Sequence, residues 1–116
     1  AHDSHNLVVA GMNDQDMALA AERVAALGGG LVAVRDGEVL AELALPIAGL
    51  MSDLPLPVVR DQVAHLKAVS RELGSTTADP YMLLSFLALP VIPELKLTDQ
   101  GLVDVDAFEI VPLFSS

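Results

Sequence analysis

The 116-residue sequence predicts an α+β fold: a mixed β-sheet with two or three helices packed on it, starting with a βαβ unit. Two observations predict this class. Short apolar runs of strand length alternate with segments of helical periodicity. In addition, 53% of the residues are hydrophobic, which gives the chain enough apolar surface to offset ordering entropy and excludes a disordered protein. The length suits one domain of about 100–150 residues, so we expect a single domain over residues 1–116.

The predicted βαβ unit occupies the first third of the chain. Asn6 to Ala10 is a short apolar run followed by a glycine, which is typical of a buried strand. Asn13 is a favourable helix N-cap, and the helix after it carries apolar residues at helical spacing up to Leu27. Gly28 to Gly30 end that helix, and Leu31 to Arg35 forms the next strand. We expect a right-handed crossover between the two strands.

A β-hairpin and a second helix follow. Asp36 and Gly37 separate the strand from Glu38 to Leu43, and Asp-Gly between two extended runs is a strong hairpin signal. The second helix runs from about Pro57 to Leu73, and Gly74 ends it. Its predicted inner face has apolar residues at helical spacing: Val59, Val63, Leu66, Val69 and Leu73.

The third predicted helix, Tyr81 to Leu89, is apolar nearly all round. Asp79 caps it, Pro80 occupies its first position, and further prolines follow it. A helix that is apolar on all sides must be covered on all sides. Two interpretations therefore stay open: the segment is the central core helix of this domain, or part of it is an exposed docking surface.

The C-terminal region predicts three more strands. Leu95 to Thr98 and Leu102 to Asp106 flank a turn through Asp99 to Gly101, which predicts a second hairpin. Phe108 to Phe114 is predicted to be the last strand.

Composition excludes several classes of function. With a net charge of −10 and no basic cluster, the chain cannot neutralise nucleic-acid phosphates. No apolar run approaches the roughly 20 residues of a membrane span, so we expect neither a nucleic-acid nor a membrane partner. Cysteine is absent, which excludes disulfides, thiolate metal sites and a cysteine nucleophile, and fits the reducing cytoplasm. The chain starts without Met and without a signal peptide, so we expect it to be part of a longer protein.

The most distinctive polar motif of the chain is His2-Asp3-Ser4-His5-Asn6. In an extended segment His2 and His5 point to opposite sides, and only a turn at Asp3-Ser4 brings them together. Because no third ligand is indicated, we predict no metal site here and interpret the motif as turn and capping residues. The adjacent Ser, His and Asp cannot converge on one substrate atom, which excludes a triad.

Other polar features also favour structural interpretations. Gly28 to Gly30 follow a helix rather than precede one, so they predict a C-cap and not a phosphate site. His65 is predicted to lie at the surface, and Ser70 falls within an apolar stripe. The acidic residues are scattered. We therefore predict no catalytic, cofactor-binding or metal-binding residue within this chain.

Five blocks, in order along nearly the whole chain, resemble the C-terminal domain of bacterial-type adenine deaminases, members of the amidohydrolase superfamily. They are His2 to Asn6, Val9 to Gly11, Gly28 to Val34, Leu45 to Ser52 and Ser85 to Asp99. The resemblance implies a parent hydrolase of purine catabolism and salvage that acts on the C–N bond of a cyclic amidine. It converts adenine and water into hypoxanthine and ammonia, and residues 1–116 are its C-terminal domain.

The resemblance further implies that catalysis resides in an upstream (β/α) barrel with two divalent metal ions, manganese or iron, which activate the attacking hydroxide. The metal-binding His-x-His motif of that barrel has no counterpart here, so the isolated chain is expected to be inactive. Expected partners are the upstream barrel, adenine as the parent's substrate, and a second copy in a homo-oligomer.

Within that family Asp3, His5 and Asn6 are the candidates to reach the barrel mouth and help to order the site. Asp3 and His5 share a face if the segment is extended. The alternative function is a non-catalytic oligomerisation or interaction module. Direct purine binding has weak support, because Tyr81, Phe86, Phe108 and Phe114 all lie in runs typical of a core.

Overall fold

The computed structural model describes residues 1–114, which contain three helices and five strands. In chain order these are α1 Asp14–Ala26, β1 Gly30–Arg35, β2 Glu38–Ala44, α2 Leu56–Glu72, α3 Pro80–Leu87, β3 Leu95–Thr98, β4 Gly101–Asp104 and β5 Glu109–Val111. The described residues divide into two compact units: a larger unit of residues 9–81, and a smaller unit of residues 1–8 together with residues 82–114. Among the described helices, none has the length and apolar character needed to cross a bilayer.

The larger unit is built on the β1–β2 hairpin. The two strands pair antiparallel from Gly30 opposite Ala44 to Arg35 opposite Glu38. The turn residues Asp36 and Gly37 have φ angles of 54° and 78°, the positive values that a tight hairpin turn needs. The hairpin predicted from the Asp-Gly pair is therefore confirmed.

Helix α1 is tied to this hairpin at both ends. The side chain of Asn13 accepts a hydrogen bond from the Asp16 amide at 2.8 Å, which confirms the predicted N-cap. The Asp16 carboxylate accepts from the amides of Asp36 and Gly37 at 3.0 and 2.8 Å. Hydrogen bonds from Asn13 and these amides hold the pKa of Asp16 below its usual value. Near the other end, Arg23 binds Glu42 of β2 through two hydrogen bonds of 2.6 and 2.8 Å.

Helix α2 covers the hairpin and completes the core of the larger unit. The buried cluster consists of Ala33, Ala41, Leu43, Leu66 and Val69, with Val59, Val63 and Tyr81 packed partly buried against it. The predicted inner face of α2 is thus confirmed over most of its length. Leu73 is the exception, because it lies beyond the last turn and is 41% exposed.

Two glycines that follow α1 end this helix and allow the chain to pack closely within the larger unit. The amides of Gly28 and Gly29 donate to the carbonyls of Ala25 and Val24, which is the Schellman arrangement and confirms the predicted C-cap. A Cβ on Gly29 would lie 2.3 Å from the Cα of Gly49, so the chain around residue 49 packs directly on the backbone after α1.

The smaller unit contains the antiparallel sheet β3–β4–β5. Thr98 pairs with Gly101, and the Thr98 hydroxyl oxygen accepts from the amides of Gln100 and Gly101, so the predicted second hairpin is confirmed. The last strand is shorter than predicted and covers only Glu109–Val111. Of the described residues in this unit, Ala88 and Val105 are the buried ones.

The α+β class is confirmed, but the predicted βαβ unit and the single mixed sheet are wrong. Residues 6–10 form no strand, and the two sheets that the described residues contain are separate and entirely antiparallel. The physical reason lies in the connections. Each strand pair is joined by a short turn, which permits only antiparallel pairing, whereas a parallel pair needs a long crossover and a free sheet edge for the first strand. Whether residues 1–116 fold as a single domain stays a prediction.

Leu66 is 0% exposed and lies at the centre of the larger unit's core. Leu66→Ala is expected to lower the free energy of unfolding by about 3–5 kcal/mol, through lost burial and the cavity left behind. The control is Leu73→Ala on the same helix, expected to cost about 1 kcal/mol or less because that side chain is half exposed. Urea denaturation measures both, and equal losses would contradict this description of the core.

The close contact of Gly29 with Gly49 can be tested with a matched pair of glycine variants. Gly28 has φ +73° and no heavy atom within 4 Å of an added Cβ, so Gly28→Ala is expected to cost only about 1–2 kcal/mol of backbone strain. Gly29→Ala adds a backbone clash to that strain and is expected to destabilise clearly more. Thermal melts of the two variants check this; a Gly28→Ala loss as large as that of Gly29→Ala would disprove the close packing.

Candidate functional site

The polar motif near the start of the chain, residues 2–6, is folded into a turn rather than extended. The backbone nitrogen of Ala1 donates to the Asn6 carbonyl at 2.7 Å, and the Ser4 hydroxyl donates to Asn6 Oδ1 at 2.6 Å. His5 has φ 52°, a left-handed conformation that reverses the chain. We call residues 2–6 the His-Asp turn.

The turn changes how its side chains relate to one another. A shared face for Asp3 and His5 is expected only if the segment is extended, and residues 2–5 form a turn, so that condition is not met. Both side chains are nevertheless exposed at the surface. Asn6 is partly buried, and its carbonyl and side-chain oxygens hold the turn closed. Asn6 therefore shapes the turn, while Asp3 and His5 are the groups available to a partner or substrate.

His2 connects the His-Asp turn to helix α3. Its Nε2 atom lies 3.6 Å from the Asp3 carboxylate, close enough to pair with it when the imidazole is protonated. Its ring meets the ring of Phe86 edge to face, with the centroids 6.1 Å apart and the planes at 71°. Sequence reasoning did not find this contact, since no spacing rule relates residue 2 to residue 86.

A metal ion needs more donors than this turn offers. Structural and catalytic metal sites use three or four protein ligands, and the turn brings one imidazole next to one carboxylate. Across residues 1–114 no three His, Cys, Asp or Glu side chains are grouped so that they could hold a metal ion. The described residues therefore do not fit the two-metal centre that the family resemblance implies.

Helix α3 has one covered face and one exposed apolar face. Leu84, Ser85 and Ala88 are partly or fully buried, and Tyr81, one turn earlier, is half-buried. The opposite face consists of large apolar side chains that are 38–48% exposed: Met82, Leu83, Phe86 and Leu87. We call these four residues the α3 stripe. Because α3 contains no buried residue between Pro80 and Leu87, the docking-surface interpretation of this segment describes it better than a central core helix.

The two other polar residues that the sequence singled out are His65 and Ser70. His65 is exposed on α2, as predicted. Ser70 is buried, donates to the Leu66 carbonyl at 2.9 Å and lies within hydrogen-bond distance of the Tyr81 hydroxyl, at 3.0 Å. Burial raises the pKa of Tyr81 above its ordinary value. Ser70 is therefore a satisfied core polar group, and its hydrogen bond to the carbonyl four residues earlier explains why it is tolerated within an apolar stripe.

The fold and these contacts define an α+β chain in which an exposed polar turn lies beside an exposed apolar helix face. Residues 1–109 match the family described as the adenine deaminase C-terminal domain. Adenine deaminase 2 of Carboxydothermus hydrogenoformans is 59% identical over 114 residues, which cover 97% of this chain and 20% of that protein. Adenine deaminases of Brucella anthropi and Desulfatibacillum aliphaticivorans are each 57% identical, over 96% and 98% of this chain and 20% of their own length.

The chain therefore belongs to the adenine deaminase C-terminal domain family, and the resemblance carried by the five sequence blocks is confirmed. It spans about a fifth of the length of the curated relatives it matches.

Proposed function

We propose that this chain is the C-terminal domain of a longer, cytoplasmic adenine deaminase, which converts adenine and water into hypoxanthine and ammonia. The observation that carries the proposal is identity of 55–59% with proteins named adenine deaminase over nearly all of this chain. The absence of cysteine fits a reducing compartment.

The catalytic centre of the proposed enzyme lies outside this chain. Family membership points to a metal-dependent parent, and residues 1–114 do not gather the donors for such a centre. We therefore place both divalent ions, manganese or iron, in an upstream barrel, and expect the chain alone to be inactive. What these residues contribute is binding and ordering around that barrel.

Two surfaces of the smaller unit suit that auxiliary role. Asp3 and His5 are exposed polar groups on a turn that Asn6 and Ser4 hold in shape. The α3 stripe provides apolar surface for docking, and the ring contact of His2 with Phe86 makes the turn and the stripe neighbours. A barrel surface that covers the α3 stripe would thereby lie close to Asp3 and His5, which supports their proposed role at the barrel mouth.

The alternative function is an oligomerisation or interaction module without a part in catalysis. The exposed α3 stripe also offers an apolar surface to a second copy, although the net charge of −10 disfavours that contact. Light scattering on the isolated chain separates the two proposals, since a tight dimer favours the module and a monomer favours the auxiliary domain.

The first test compares three proteins: the full-length polypeptide that contains this chain, a version truncated before Ala1, and the chain alone. Adenine deamination is followed by ammonia release, and metal content is measured on each. We expect turnover in the full-length protein, metals but reduced turnover in the truncated one, and no turnover in the chain alone. Full activity after truncation would reduce this domain to scaffolding, and no deamination by the full-length protein would refute the proposed activity.

The second test concerns the His-Asp turn. Asp3→Ala combined with His5→Ala in the full-length enzyme is expected to lower kcat/KM by about tenfold or more, equivalent to roughly 1.4 kcal/mol of transition-state stabilisation. Metal content and thermal stability should stay unchanged, because both side chains are exposed. His65→Ala, which removes an exposed histidine of α2, is the control and should keep full activity. Unchanged kcat/KM in the double variant would exclude the turn from the site.

A further inference from the structure

Residues 46–58 of the larger unit, which comprise the connection before α2 and the first turn of that helix, have no role in the function proposed so far; we call this segment the apolar loop. Six of its large apolar side chains are 36–80% exposed: Ile47, Leu50, Met51, Leu54, Leu56 and Val58. Asp53 is the one charged residue between Glu42 and Arg60. A run of large apolar side chains left exposed along one segment is typical of an interaction site.

Backbone hydrogen bonds, close packing and prolines restrain the apolar loop. The amide of Ile47 donates to the Met51 carbonyl and the amide of Met51 donates to the Ile47 carbonyl, both at 3.1 Å, which closes a tight turn. The backbone at Gly49 packs on Gly29. Prolines 55 and 57 restrict the backbone further along. Each of these restraints lowers the conformational entropy that binding would cost, which favours the use of this segment as a contact surface.

Two observations indicate what covers the loop. This chain spans about 20% of the length of its relatives, so proteins of this family carry a large additional polypeptide next to it. The chain also has a net charge of −10, and net charge of that size opposes contact between two identical copies. An uncharged partner surface in the same polypeptide meets no such repulsion, and its contact gains from a high effective concentration.

We propose that the apolar loop is an interdomain contact: it docks on an uncharged, apolar surface of the polypeptide that precedes Ala1 in the longer protein. This inference rests on the proposed function only in requiring that longer polypeptide. Leu56, the first residue of α2, is the position to probe, because at 80% it is the most exposed of the six side chains.

Site-specific photo-crosslinking in the full-length polypeptide tests the docking. Benzoylphenylalanine replaces Leu56 in one variant and His65 in the matched control, which is exposed in the same unit but outside the loop. After irradiation, gel electrophoresis gives the mass of the product and mass spectrometry maps the crosslinked residues. We expect the probe at position 56 to form intramolecular crosslinks to apolar stretches upstream of Ala1, and the probe at position 65 to form few.

Two results would overturn the inference. A product of twice the polypeptide mass would show that the loop contacts a second copy. Crosslinking from position 56 no stronger than from position 65 would show that the loop stays uncovered. Adenine deamination by the unmodified full-length protein is measured alongside, so that failure of the activity is distinguished from failure of the docking: upstream crosslinks without turnover refute the proposed function and leave the contact standing.

Discussion

The close approach of two glycines is the constraint on which the larger unit depends. Gly29 lies where α1 has ended and β1 is about to begin, and its Cα faces Gly49 with no room for a side chain between them. The neighbouring Gly30 is equally restricted, because an added Cβ would lie 2.2 Å from the Leu43 carbonyl oxygen of the paired strand. Helix, hairpin and loop therefore meet at backbone contact distance, which only glycine allows.

The two units differ in how much of their apolar side-chain surface each of them buries. The larger unit has a continuous core in which α2 covers the hairpin and Leu66 is completely enclosed. In the smaller unit, Ala88 and Val105 are the buried residues among those described, while the α3 stripe stays exposed. Since a small sheet and one helix face bury little area, we expect such a surface to be covered by other protein. That expectation agrees with membership of a family whose curated relatives are about five times longer.

Local signals predicted the parts of the fold that depend on one or two neighbouring residues. The Asn13 cap, the Asp36-Gly37 turn and the glycine end of α1 all satisfy backbone groups within a few residues, so their chemistry is readable in the sequence. The prediction of a strand at residues 6–10 was wrong for the opposite reason. A five-residue run with four apolar residues is compatible with a strand, but a strand exists only where a partner edge is available, and the run itself carries no information about that edge.

The sequence by itself determined the α+β class, the helix and hairpin boundaries to within a few residues, and membership of the family. It also singled out the polar motif at residues 2–6, although not its shape. Tertiary structure alone decided that this motif closes into a turn, that His2 lies against Phe86, and which face of α3 stays exposed. The reason is physical. Caps and turns are set by hydrogen bonds between near neighbours, whereas exposure and ring contacts depend on which distant segments the completed fold brings together.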